Sequence, residues 1–275
     1  MHILQSSPVH PRLRRFVRAY AQREITRSDL DLVQPVPASL EHILEFEFRE
    51  PPEIEYNDGT KESAYRIAVI GPHTEPVNIL HLNGNIQSFA IFLQPLGLWQ
   101  LFRVPVNELP DRAYKGDELL GRTIEELWQM LAECTSFEDK VATVERYLLK
   151  RAACYSGCTT TMNAATDIFR RQGICRIDEI ARQSGLSVRH FERSFLGDIG
   201  IRPKLFARIA RFQMALDLKL RTPHQTWLTI AHYFGYHDQM HMIRDFQSLS
   251  GAAPQRILAD LGDTRPPALA GSNND

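Results

Sequence analysis

Ile230-Ala231-His232-Tyr233-Phe234-Gly235-Tyr236-His237-Asp238-Gln239 is the stretch on which the reading of this chain turns, because a degenerate copy of it lies fifty residues upstream. Ile180-Ala181 matches Ile230-Ala231, and Gly185 matches Gly235. After one inserted residue Phe191 matches Met242, Arg193 matches Arg244, Phe195 matches Phe246, Gly200 matches Gly251 and Pro203 matches Pro254. Self-similarity at a fixed offset marks a repeated structural unit. Each copy predicts a helix, a tight glycine turn and a second helix. In the first, Ile177, Ile180, Ala181 and Ser184 share a face, Gly185 suits the left-handed conformation that closes a helix, and Ser187 is placed to cap the next one. Phe191 and Phe195 then stand four apart and face inward. In the second copy Ile230, Ala231 and Phe234 form the first helix, Asp238 is the cap, and Met242, Phe246 and Leu249 are the buried stripe. Two helices joined so closely make a helix-turn-helix, whose second helix fits a DNA major groove. Between the copies, Pro203 opens a helix whose Phe206, Ile209, Ala210 and Leu216 keep a helical period to Leu220. Its length of about 27 Å is on the scale of the roughly 34 Å between successive major-groove faces.

Residues 162–260 resemble the DNA-binding domain of the AraC/XylS family of bacterial transcription regulators, whose signature stands here as Ile230-Ala231-x-x-x-Gly235-Tyr236-x-Asp238-Gln239, then Met242, Arg244, Phe246, Gly251 and Pro254. Met242 replaces a usual aromatic, and Gln247 a common basic residue. The resemblance implies binding of double-stranded DNA through both motifs. With Phe191 and Phe195 turned inward, Arg189, Glu192 and Arg193 are the candidates for reading base edges from the first unit. Gln239, Met240, Ile243 and Arg244 are their counterparts in the second. Arginine grips guanine O6 and N7 with two hydrogen bonds, glutamine does so with adenine N6 and N7, and Met240 suits a thymine methyl. Lys204, Arg208, Arg211, His241 and Arg256 are candidates for phosphate, where charge matters and base sequence does not. The alternative for Arg193 and Arg244 is a surface salt bridge to Asp198 or Asp245. The resemblance also leaves room for a small-molecule effector, a homodimer and, for an activator, RNA polymerase. A second reading is a helical protein-interaction module without DNA recognition.

Length and composition bound the rest. With 275 residues and 43% apolar content, the chain is long enough for two domains with ordinary cores. No run approaches 18 consecutive apolar residues and Met1–Phe16 lacks an apolar signal core, so the expected compartment is the cytoplasm. Cys134, Cys154, Cys158 and Cys175 are too few and too irregular for a disulfide framework and are read as free thiols. Charge is uneven: residues 1–159 carry 17 Lys/Arg against 22 Asp/Glu, whereas residues 160–262 carry 14 against 9. A basic second half suits a polyanion and disfavours the pure interaction module.

The expected fold class is α+β: a small antiparallel β-barrel or sandwich with flanking helices, then an all-helical double helix-turn-helix. The domains are read as 1–151, a linker at 152–161, 162–262, and a disordered tail at 263–275. Leu13, Phe16, Val17 and Tyr20 follow a helical period, which predicts an amphipathic helix over Pro11–Tyr20 with Arg12, Arg14, Arg15 and Arg18 on a solvated face. Leu44, Phe46 and Phe48 alternate with glutamates, Asn57-Asp58-Gly59 marks a turn, and Tyr65–Ile70 is strand-rich. Asn83-Gly84 between Val77–Leu82 and Ile86–Gln94 predicts a hairpin. Helices are expected at Leu96–Phe102, Thr123–Leu131 and Phe137–Arg151. This half looks like an effector-binding or cupin-like module, on Gly71-Pro72-His73 and Leu93-Gln-Pro-Leu-Gly97. Phe46, Phe48, Phe89, Phe92, Trp99 and Phe102 are the candidate pocket lining; the alternative is that they are simply core.

No catalytic residue, metal or cofactor is expected. His42, His73 and His81 are scattered, with no His-x-His pair to found a cupin metal shell, which ranks a metalloenzyme low. His237 and His241 have zinc-helix spacing, but Asp238 stands where a base glutamate would, in the capping site. Gly116-x-x-x-x-Gly121-Arg122-Thr123 resembles a phosphate loop without its lysine, with Asp117 and Glu118 inside it and no strand expected before it. Cys154 and Cys158 have nothing near them in the sequence to lower a thiol pKa.

Overall fold

The computed structural model describes residues 2–26, 32–56, 58–76, 78–154 and 157–261. The strands are β1 (His2–Ser7), β2 (Val17–Ile25), β3 (Leu32–Val36), β4 (His42–Glu47), β5 (Glu53–Tyr56), β6 (Lys61–Ser63), β7 (Ile67–Ile70), β8 (Asn78–Leu82), β9 (Ile86–Leu93) and β10 (Ala113–Lys115). They form two antiparallel sheets, one ordered β1-β2-β9-β4-β7-β10 and the other β3-β8-β5-β6. The arrangement is an open pair of sheets and not a closed barrel.

Two local readings fail here for non-local reasons. Pro11–Tyr20 is no helix: Pro11–Leu13 is a single 3-10 turn, and the chain then enters β2. β2 is buried along most of its length, and its register with β9 shifts between Val17 and Ala19, so the alternation that would have betrayed a strand is broken at Arg18. Likewise Asn83-Gly84 does not close a hairpin. β8 pairs with β3 and β5, whereas β9 pairs with β2 and β4, so the turn carries the chain from one sheet to the other. Gly84 has φ +92°, and Glu50 takes over the closure, accepting from Asn85 N at 3.1 Å and donating its own N–H to Asn85 O at 3.1 Å. Ile25, Leu82 and Ile86 fill the corner. Of the expected turn at 57–59, Asn57 lies outside the described residues, and Gly59 has φ +82°.

Helices α1 (Gly97–Phe102), α2 (Gly116–Leu120), α3 (Arg122–Glu133) and α4 (Phe137–Ala152) belong to the same half. Tyr20, Leu44, Phe46, Phe89 and Ile91 are fully buried in one core with Leu127, Leu131, Val144 and Leu148. Each such side chain contributes about 1.5–3 kcal/mol of transfer free energy. Strand β10 does precede Gly116, contrary to the expectation, but the residues that follow wind into α2 and form no phosphate loop. A Cβ on Gly116 would stand 2.4 Å from Ile67 Cγ2, so this glycine serves close packing.

The second half holds α5 (Thr160–Arg170), α6 (Ile177–Gln183), α7 (Val188–Ile199), α8 (Pro203–Arg221), α9 (Trp227–Tyr233), α10 (Gln239–Ser250) and α11 (Pro254–Leu261). The expected tail lies outside the described residues. Phe191, Phe195 and Phe206 form one aromatic cluster; Phe212, Trp227 and Phe246 form a second, with Phe212 and Phe246 centroids 4.7 Å apart.

The two halves share a continuous apolar core and a buried polar junction. Arg18, expected on a solvated face, is 6% exposed and donates to Glu41 from its own half and to Asp217 of α8. Gln213, one turn before Asp217, donates to Glu41 and accepts from Leu40 N at 3.0 Å. Ala38 N donates to Leu249 O at 2.7 Å. Gly200, with φ +79°, closes α7 against the first half, where an added Cβ would come within 2.4 Å of Asn107 O.

Arg18→Ala leaves two buried carboxylates without their cation and is expected to cost about 3–5 kcal/mol in urea unfolding. Arg14→Ala, at an exposed position, is expected to stay within about 0.5 kcal/mol. His42 is buried with neither ring nitrogen hydrogen-bonded, and burial pushes it down from 6.5 to about 4. The unfolded chain therefore takes up a proton that the folded one refuses. Unfolding free energy should fall as pH drops from about 6.5 toward 4, by up to about 1.4 kcal/mol per unit from this group, and His42→Leu should flatten that slope.

Candidate nucleic-acid interface

Both repeat units have the geometry the sequence implies. Gly185 and Gly235 adopt φ of +70° and +66° between their helices. Ser187 Oγ accepts from His190 N at 3.4 Å and Asp238 Oδ1 accepts from His241 N at 2.6 Å, so α7 and α10 each begin on a side-chain cap. α7 buries Phe191, Phe195 and Ile199 and exposes Arg189, Glu192 and Arg193. α10 buries Met242, Asp245, Phe246 and Leu249 and exposes Gln239, Met240 and Arg244, with Ile243 half-buried. Met240 is 55% exposed, a large apolar side chain held in water beside polar neighbours.

The carboxylates that were the alternative partners of Arg193 and Arg244 are engaged elsewhere. Asp198 accepts from Thr159 and Thr161, which ties α7 to the start of α5. Asp245 accepts from Arg208, at 3.1 Å from Nε and 2.8 Å from Nη2. No ion pair holds Arg189, Arg193 or Arg244 among the described residues.

The expected phosphate set divides. Lys204 and His241 are exposed, the latter with its ring edge-on to Tyr236 at 5.5 Å. Arg256 is exposed and pairs with Asp260 at 2.8 Å. Arg208 and Arg211 are turned to bracing instead. Arg208 holds the buried Asp245 and so fixes α10 to α8, while Arg211 lies 5.2 Å over the Tyr236 ring with Nη2 3.4 Å from Gly173 O. A basic residue on a helix reads as solvent-facing until its acidic or aromatic partner on another helix is known. Sequence reasoning also missed Gln213 and Asp217, though polar residues four apart within the apolar stripe of α8 were a usable signal. His237 precedes the helix cap, so it and His241 do not share a helical face, and no three His, Cys, Asp or Glu gather to hold a metal among the described residues.

The first half contains a cavity of about 200 Å³ between its sheets. Ile43, Glu45, Ala68, Phe92 and Arg23 line one wall, Ile54, Tyr56 and Leu80 the other, and Phe212, Gln213 and Leu216 of α8 with Leu261 of α11 close it. Of the six aromatics expected there only Phe92 lines it. Phe46 and Phe89 point to the opposite face of the sheet into the core, Phe48 stacks on Trp128 at 6.0 Å, Trp99 lies under Arg103 and Phe102 under Arg151. Cys158 Sγ accepts from Gln100 Nε2 at 3.2 Å, and Cys154 is exposed.

Residues 180–260 match the family model of a helix-turn-helix domain. These residues form an AraC-type helix-turn-helix domain at the C-terminal end of the chain. Residues 5–115, ahead of the AraC-type domain, match a domain of unknown function, DUF6597. No curated protein matches the chain. Among solved structures, an apo variant of ToxT from Vibrio cholerae is 10% identical with a TM-score of 0.51, covering 88% of this chain and 97% of that one. ToxT bound to (E)-4-(8-methylnaphthalen-1-yl)but-3-enoic acid is 11% identical with a TM-score of 0.48, covering 94% and 99%. The AraC-like transcriptional activator CuxR is 11% identical with a TM-score of 0.24, covering 93% and 83%. The first of these shares the fold of this chain, a β-rich half followed by the AraC-type domain.

Arg208→Ala is expected to lower unfolding stability by about 1–3 kcal/mol, because it strands a buried acceptor. Arg244→Ala, on the exposed face of the same motif, should stay within about 0.5 kcal/mol in the same denaturation experiment.

Proposed function

We propose that the chain is a one-component transcription regulator that reads two successive major grooves with α7 and α10, acting in the cytoplasm under control of a small molecule held in its first half. The observation that carries this reading is the shared construction of the two reading helices: each buries an aromatic or methionine stripe, begins on a side-chain cap, and leaves at least one arginine exposed without an ion pair among the described residues, Arg189 and Arg193 on α7 and Arg244 on α10. A solvated helix face needs no such repetition. Helix α8, 19 residues and about 28 Å long, joins the two units, and Arg208 fixes the second to it. Arg189, Glu192, Arg193, Gln239, Met240, Ile243 and Arg244 read bases; Lys204, His241 and Arg256 neutralise phosphates, Arg256 by exchanging Asp260 for the backbone.

Residues 1–151 form the sensing unit, 162–262 the reading unit and 152–161 their connection. The cavity supports control by a ligand, since its floor belongs to the first half and its cap to α8 and α11 of the second. An occupant with different affinity for two dockings of the halves shifts the balance between them, and with it the geometry offered to DNA. We assign the chain no catalytic step.

Purified protein should capture genomic fragments that share a bipartite motif with centres about one helical turn apart, 10–10.5 base pairs. Arg193→Ala and Arg244→Ala should each cost about 1–3 kcal/mol of affinity at fixed salt, and the logarithm of the binding constant should fall linearly with that of salt. Captured fragments without a common motif, or unchanged affinity in both variants, would refute the reading.

A further inference from the structure

The register of the larger sheet decides what its inner face offers the cavity. Cross-strand pairing lines up Ala19, Phe92, Ile43 and Ile70 in one row, and Ala21, Ala90, Glu45 and Ala68 in the next. A third row holds Arg23, Ser88 and Glu47. Glu45 therefore stands in a row of alanines, whose missing side-chain volume leaves space in front of its carboxyl group. Glu47, two residues on, projects to the same face by the pleat of the strand.

The charges in this corner do not balance among the described residues. Glu47 is 2% exposed and neither of its carboxylate oxygens has a hydrogen-bond partner. Glu45 has Ser88 as a hydrogen-bond partner, and Arg23 is the one cation acting on both carboxylates. Arg23 also donates to Gln34 Oε1 at 2.8 Å. Burial pushes both glutamates above the usual carboxylate range, Glu47 further because Glu45 stands beside it. At the far end His73 lines the same cavity, 6% exposed, with Nδ1 unpartnered. The volume, about 200 Å³, lies below the roughly 300–1,000 Å³ of sites for drug-sized ligands, which limits the occupant to a compact molecule.

We propose that this cavity binds a small organic cation, a primary amine or amidine on a compact apolar body, with its charge against Glu45 and its body among Ile43, Ile54, Tyr56 and Phe92. A cation within about 4–6 Å favours the ionised form of Glu45, whereas an anion adds a further like charge to a corner already short of cations. The cap by Phe212 and Leu216 puts the apolar end of the occupant against α8, so its regulatory meaning rests on the reading of the first half as a ligand sensor.

The test is calorimetric titration of the full chain with butylamine, hexylamine and phenethylamine, each beside the alcohol and the carboxylate of the same skeleton. At least one amine should bind saturably and at least about tenfold tighter than both its analogues, and should raise the melting temperature. Glu45→Gln should weaken it about tenfold or more, while Glu53→Gln, at an exposed position that does not line the cavity, leaves it unchanged. Ala68→Leu fills the cavity without touching a charge and should abolish binding, which guards against a glutamate variant that fails to fold. Carboxylates binding as well as amines, amine binding indifferent to Glu45→Gln and Ala68→Leu, or no saturable amine binding would each overturn the proposal. DNA capture is read without any amine present: a chain that selects a motif but ignores amines fails this proposal alone, and one that binds amines but no DNA fails the regulator reading instead.

Discussion

The molecule depends on a buried guanidinium. Arg18 sits at the bulge of β2, under Glu41 from the same half and Asp217 from the other, and all three are nearly inaccessible. Taking such charges out of water costs several kcal/mol per ion, an expense that only close pairing offsets. Sliding the halves apart would leave two carboxylates and an arginine half-solvated in an apolar seam. The relative placement of the sheets and α8 is thus fixed by electrostatics as well as by the shared core, and a polar junction is far more selective for one geometry than an apolar contact, which tolerates sliding.

Helix α8 ties the two halves together. One stretch of it holds the first half through Gln213 and Asp217, another caps the cavity with Phe212 and Leu216, and Arg208 near its start grips Asp245 on α10. These contacts lie within about three turns of one rigid element. On the proposed regulator reading, displacing the cap would displace α10 with it, with no need for a long relay through loops.

The helical half was legible because its determinants are local. Ser187 and Asp238 cap helices a few residues away, Gly185 and Gly235 take φ values open to few other residues, and Phe191 with Phe195 or Met242 with Phe246 mark a face by spacing alone. The first half resisted for the converse reason. Asn83-Gly84 specifies a tight turn but not which strands pair, and here the partners of β8 and β9 come from β2, β3, β4 and β5. The apolar spacing of Leu13, Phe16, Val17 and Tyr20 imitates a helix because a bulge interrupts a strand buried almost throughout. Of the six aromatics thought to line a pocket, five are spent on packing, since a phenylalanine on a strand faces either the core or the cavity and only the register says which.

By itself the sequence determined a duplicated capped helix pair, an exposed arginine face on each reading helix, a basic second half and a β-rich first half, all of which follow from neighbours within a few turns of chain. Tertiary structure alone decided that Arg18 joins the halves, that Arg208 and Arg211 brace helices, and that Glu45 lines a cavity beside Arg23. Each of those outcomes turns on a charge meeting a partner far away in the chain, and the free energy of a charge depends on what surrounds it, which no local pattern encodes.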